Sequence, residues 1–210
     1  MISFYIIRHG ETLLNSLNRA QGWSDSPLTD NGEKTAIELG TELKGIVFSA
    51  AYTSDMLRAI QTAELILSTG GNDDIKIQKD VRLREWCLGS MDAERNSTFI
   101  QTVSDWLGGV TSFAELNKRL SDVATAIYEH DTTGMAEPFA DISNRLRSVF
   151  IDIAHNKSFN GNSNILVVTH AFAIKTLFYL FSPEKLYTMD KLKNASISKL
   201  IYNGSTFFFE

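Results

Sequence analysis

The chain has 210 residues, 43% of them hydrophobic, enough for one substantial core and a single domain over 1–210. A net charge of −5 with no stripe of Lys and Arg argues against nucleic acid as a partner. The one cysteine, Cys87, excludes an intrachain disulfide framework and a multi-cysteine zinc site, and no apolar run reaches membrane-span length.

No basic stretch precedes an apolar segment near Met1, and no cleavage site follows. A cytoplasmic protein without a membrane partner is therefore expected. Ile2 to Ile7 is a short apolar run of the kind that forms a strand covered on both faces. It stops at Arg8-His9, which are poor core residues but suit a crevice at the carboxyl end of a parallel strand. Gly10 to about Leu17 is predicted as a helix, and the turn-rich AQGWSDSPLTDNG as a loop. Thr29 or Asp30 can cap a helix over about 31–44 that Gly45 ends. A strand is expected over 46–52, a helix to about Leu67 capped by Thr53, Ser54 or Asp55, and a short strand over 75–78.

Residues 90–160 form a mostly helical excursion, with Leu116, Leu120, Val123 and Ile127 on one face and Ile142, Leu146, Val149, Phe150 and Ile153 on another. Residues 132–138 are a linker and 161–164 a turn. Ile165–Thr169 is a second buried strand, ending in His170, and a helix follows from Ala171 to Phe181. The C-terminus reads as a hairpin around Asn203-Gly204. The expected fold is a three-layer α/β/α domain with a mostly parallel sheet and a helical excursion over the site.

Two strands thus end in histidine, and Arg58 and Glu85 fall in elements that follow other strands. Arg8 and Arg58 are planar donors suited to a phosphoryl group. Backbone N–H groups at helix N-termini can add to such an anion site. A neutral imidazole can act as nucleophile, and nearby guanidiniums keep it neutral. A second histidine can donate to the phosphoryl oxygens, and Glu85 can protonate a leaving oxygen and then take a proton from water. That chemistry needs no metal and no cofactor.

Arg8-His9-Gly10-Glu11-Thr12 with Asn15 resembles the leading signature of the histidine phosphatase, or phosphoglycerate-mutase-like, superfamily. Gln21-Gly22-Trp23-Ser24-Asp25-Ser26-Pro27-Leu28-Thr29 with Gly32 is similar to its second motif, and Ser54–Ala59 with Thr62-Ala63 to its third. Leu83-Arg84-Glu85 with Gly89, and Val168-Thr169-His170, complete the set in order. The resemblance implies that His9 forms a phosphohistidine and that Arg8, Arg58, His170 and Asn15 hold the phosphoryl group. It makes Glu85 the proton donor and acceptor, and puts Gln21 and Gly22 at the substrate pocket. Ala171 stands where the family commonly has Gly, with its backbone N–H still available.

The resemblance spans mutases and phosphatases. Leu88 and Asn96 occupy positions where the mutases carry a Tyr and a Lys for the substrate carboxylate, and the mutases' Arg pair and proline-rich insertion are missing from 97–115. A buried carboxylate needs pairing, so hydrolysis of a small phosphomonoester is favoured over mutase activity. The alternatives are the mutase, a non-catalytic phospho-ligand sensor, and a metallohydrolase using His9, His170 and Glu85. Trp86, Trp106, Phe99 and Phe113 either form an apolar wall at the entrance or pack the excursion helices. His130, His155 and Cys87 read as packing or ordinary polar residues. A monomer or a homodimer formed through the hairpin edge both fit.

Overall fold

The computed structural model describes residues 1–109, 113–156, 159, 162–189 and 191–210, with Phe113 and Ala114 described by backbone alone. In chain order the elements are β1 (Ile2–Arg8), α1 (Leu13–Ser16), α2 (Asp30–Glu42), β2 (Ala50–Thr53), α3 (Leu57–Gly70) and β3 (Ile77–Lys79). Two single 3₁₀ turns over 81–83 and 89–91 lead into α4 (Asn96–Trp106), α5 (Phe113–Lys118), α6 (Leu120–His130) and α7 (Phe139–Ala154). Then come β4 (Ser163–Thr169), α8 (Ala171–Phe181), α9 (Pro183–Tyr187), β5 (Ile197–Tyr202) and β6 (Phe207–Phe209).

The six strands form one sheet in the order β3-β2-β4-β1-β5-β6. The pairs β3-β2, β2-β4 and β4-β1 are parallel, and β5 and β6 are added antiparallel, as a C-terminal hairpin requires. Alternation along the strands sorts the core into two layers. Ile7, Ala51, Leu166 and Val168 face Ala36, Leu39, Ala63 and Ile66 on α2 and α3. Phe4, Ile6, Ile165 and Val167 face Leu146, Phe150, Ile174 and Leu177 on α7 and α8. Both faces are covered, which is why β1 and β4 are almost continuously apolar.

The decisive feature is register. Arg8 of β1 pairs with Thr169 of β4, so the next residue on each strand, His9 and His170, emerges side by side. The His9 N–H donates to Thr169 O at 3.0 Å, continuing the ladder one step past the strand.

Several local expectations shift. The strand expected over 46–52 begins only at Ala50, because Asn72 takes the backbone groups before it. Its Oδ1 accepts from Phe48 N–H and its Nδ2 donates to Ile46 O, both at 3.0 Å. The strand expected over 75–78 starts at Ile77, since Ile75 N–H turns back to Asn72 O. The first helix is a single turn, with Thr12 and Asn15 forming a reciprocal cap, because Gly10 N–H donates to Thr62 Oγ1 and Glu11 O accepts from Thr29 N–H. Met56, not residues 53–55, is the N-cap of α3, and the Leu57 N–H is met by the Asp25 carboxylate. The turn at 161–164 is replaced by β4 from Ser163 onward, and Gly161 lies outside the described residues. No helix among the described residues is long and apolar enough to cross a membrane.

Candidate active site

His9 is buried, and its Nδ1 lies 2.8 Å from Gly10 O. A carbonyl can only accept, so Nδ1 carries the proton and Nε2 is left with a free lone pair. Burial pushes the imidazole's pKa well below its ordinary value, and Arg58 and Arg8 push it further. The ring is therefore neutral near pH 7. The backbone that carries it is fixed from both sides: Gly10 N–H donates to Thr62 Oγ1 at 2.9 Å, and Asn194 Nδ2 donates to His9 O at 3.1 Å.

His170 lies with its ring centroid 5.2 Å from that of His9. Its pKa is likewise lowered, first by burial and then by Arg58. Arg58 is wholly buried in the first turn of α3. Its Nε donates to His170 Nδ1 at 3.2 Å, and Nη1 to Ser24 O and Asp25 Oδ1 at 2.9 and 3.0 Å. Nη2 donates to Gly22 O at 2.7 Å. The loop that supplies those acceptors hangs on Asp92, whose carboxylate takes the N–H groups of Gly22, Trp23 and Ser24.

Glu85 is buried in the loop between the two 3₁₀ turns. Its carboxylate accepts from Phe172 and Ala173 N–H at 2.9 Å each, and from Trp86 N–H at 3.0 Å. Burial raises its pKa above the usual carboxylate value, against the pull of those three N–H groups. The N-terminus of α8 thus holds a carboxylate of the chain itself, where the sequence suggested that helix ends add donors to a phosphate site.

Arg8 donates from Nη1 to Leu192 O at 2.6 Å, while its Nε is a buried donor with no partner among the described residues. Burial lowers its pKa to about 10, with Glu85 opposing and Arg58 adding to the shift. Asn15 Oδ1 accepts from Asn194 Nδ2 at 3.0 Å, and Thr12 Oγ1 donates to Gln21 Oε1 at 2.7 Å.

These groups border a cavity of about 370 Å³. Arg8, His9, Asn15, Gln21, Glu85 and Ala171 line it. Arg58, His170 and Gly22 do not; they form a hydrogen-bonded layer behind it. Leu88, Asn96, Phe99 and Phe172 shape the far wall. Of the proposed entrance aromatics whose side chains are described, only Phe99 is there: Trp86 is buried against Phe172 and Trp106 stacks on His130, while the Phe113 side chain lies outside the described residues.

Sequence reasoning missed the cations Arg19, Lys175 and Lys191, which also line the cavity. Lys175 carried a signal, as the one charged residue in the apolar helix AFAIKTLFYLF. It is buried, donates to Asn117 Oδ1 at 2.7 Å, and has its pKa lowered by burial to about 8. Among the described residues no group of three or more His, Cys, Asp or Glu side chains could hold a metal ion.

The profile of the histidine phosphatase superfamily (branch 1) matches residues 4–210. The chain belongs to that superfamily. The probable phosphoglycerate mutase GpmB of Erwinia tasmaniensis is 29% identical over 207 residues, covering 98% of this chain and 87% of the relative. The crystal structure of phosphoglycerate mutase from Bacillus anthracis str. Sterne superposes with a TM-score of 0.91 at 36% identity, over 100% of this chain and 91% of that one. YhfR of Bacillus stearothermophilus has a TM-score of 0.76 at 29% identity, over 100% and 95%. Phosphoglycerate-mutase-like structures share this mixed α/β fold.

Proposed function

We propose that the chain hydrolyses small phosphomonoesters through a phosphohistidine on His9. The observation that carries this reading is the His9 ring itself: neutral, held through Nδ1–H, with Nε2 free at the cavity that Glu85 also lines. His9 Nε2 attacks phosphorus, and the bond from phosphorus to the ester oxygen breaks. Glu85, in its acid form, gives its proton to the departing alcohol. Water then attacks the phosphohistidine, Glu85 takes a proton from it, and inorganic phosphate leaves with His9 neutral again. The unpartnered Nε–H of Arg8 and the Asn15 side chain take the phosphoryl oxygens. Arg58 and His170 stabilise the transferred charge from the layer behind, and all of this proceeds on side chains and water.

Phosphate release from a panel of monoesters, with trapping of the acid-labile phosphoenzyme by an alkaline detergent quench, tests the reading. The wild type should release phosphate and trap label on His9, and His9→Ala should do neither. A second reading, phosphoryl return to a glycerate hydroxyl, draws on the named mutase relatives and on Arg19, Lys175 and Lys191 in the cavity wall. Isomerisation of 3-phosphoglycerate outpacing phosphate release would install it in place of the first. The cytoplasm, with its reducing thiol chemistry, is the proposed location of this single-cysteine chain.

A further inference from the structure

Outside the cavity, on the helical excursion, Arg145 of α7 uses all five of its N–H donors. Nη1 donates to Arg82 O at 2.8 Å and to Arg84 O at 2.7 Å. Nη2 donates to Glu85 O at 2.9 Å and to Glu137 Oε2 at 2.8 Å, and Nε donates to Glu137 Oε1 at 2.7 Å. Glu137 Oε2 in turn accepts from Cys87 N–H at 3.1 Å. One ion pair therefore grips the backbone immediately before and immediately after Glu85.

We infer that Arg145 and Glu137 are positioning residues that set the Glu85 carboxylate against the reacting ester. This rests on the acid role given to Glu85 above. The 82–85 carbonyls point away from any strand ladder, so other donors must satisfy them. Thr169 Oγ1 takes Leu83 O, and Trp23 Nε1 shares Glu85 O; Arg145 supplies the rest. A planar fork with fixed angles defines three carbonyl positions at once, which a lysine ammonium cannot. The excursion is thereby more than a wall: α7 packs against the 81–83 turn and fixes the backbone that carries the acid.

The test compares two esters. An alkyl phosphate such as glycerol 3-phosphate needs its leaving oxygen protonated, whereas p-nitrophenolate leaves without help. Arg145→Met should slow phosphorylation by the alkyl ester about 100-fold, the low end of general-acid contributions, and by p-nitrophenyl phosphate less than about 5-fold. Glu85→Gln should give the same pattern, and Arg145→Lys should recover only part of the loss. Amide exchange at Phe172 and Ala173, whose N–H groups hold the Glu85 carboxylate, should quicken at least about 10-fold in Arg145→Met while α2 and α3 keep their protection. Equal losses on both esters, or unchanged exchange at those two amides, would overturn the proposal. Should Glu85→Gln itself slow both esters equally, the acid role falls, and the exchange data still decide whether the pair positions the carboxylate. If Arg145→Met does not fold, Glu137→Gln retains an acceptor for Cys87 N–H and should show the same selectivity in milder form.

Discussion

His170 has both ring nitrogens occupied: Nδ1 faces the Arg58 Nε–H at 3.2 Å, and Nε2 lies 2.7 Å from Ser54 Oγ. Because Arg58 can only donate, Nδ1 is the acceptor and the neutral ring carries its proton on Nε2, toward Ser54. The tautomer is fixed by an arginine on one side and read by a serine on the other.

Ser54→Ala should therefore destabilise the protein by about 1–3 kcal/mol, the cost of a buried N–H left without an acceptor. The ring cannot escape by moving its proton to Nδ1, where it would meet the Arg58 N–H. Chemical denaturation checks the stability, and a midpoint equal to that of the wild type would contradict the fixed tautomer.

The pH dependence of phosphorylation follows from the two opposed shifts. His9 must be unprotonated, and its pKa lies well below 6.5, so the acid limb begins well under the ordinary histidine range. In the proposed mechanism Glu85 must be protonated, and its pKa is raised, so the rate on an alkyl ester should fall as pH climbs through a value above 4.5. The ratio of wild-type to Glu85→Gln rates, which removes the ionisation of the ester itself, should show that descending limb. A ratio independent of pH would remove Glu85 from the proton transfer.

Lys175 predicts selectivity between two esters that differ in one group, 3-phosphoglycerate and glycerol 3-phosphate. Lys175→Met should raise KM at least about 10-fold for the carboxylate-bearing ester and less than about 3-fold for the other. With its pKa lowered to about 8, the lysine loses charge as pH rises past that value, and the wild type should lose the preference over the same range. Equal KM changes for both esters would leave Lys175 a packing residue.

Gly32 of α2 packs on the strand extension that carries His9. A Cβ there would sit 2.1 Å from Glu11 O and 2.9 Å from Glu11 N, both backbone atoms. Gly32→Ala should cost about 1–3 kcal/mol as the backbone shifts, and should lower activity by moving Gly10, whose carbonyl orients the proposed nucleophile His9. Thermal melting together with phosphate release measures both effects.

Much of this architecture was legible locally. The apolar runs of β1 and β4, the helix after His170 and the C-terminal hairpin carry their periodicity on their surface. The side-by-side placement of His9 and His170 needed the β1-β4 register, which no short window contains. The start of β2 was misplaced because Asn72, more than twenty residues away, takes the backbone groups of 46 and 48. The withdrawal of Arg58 behind the cavity was illegible because its acceptors lie in the distant loop at Gly22–Asp25. Arg145 and Glu137 gave no signal either, since an ion pair on a helical excursion is ordinary until the carbonyls beneath it are known.

Among the described residues the Glu85 carboxylate is held by main-chain N–H groups alone, those of Trp86, Phe172 and Ala173. Side chains at 172 and 173 are thus uncoupled from the hydrogen bonds that their own backbone makes. Replacing Phe172 would reshape the cavity wall and the stack on Trp86, while the N–H of that position remains available to the same carboxylate. If Glu85 transfers the proton as proposed, the scaffold separates that part from the side chains that shape the cavity, and substrate range could drift, or be engineered, at this helix without rebuilding the acid.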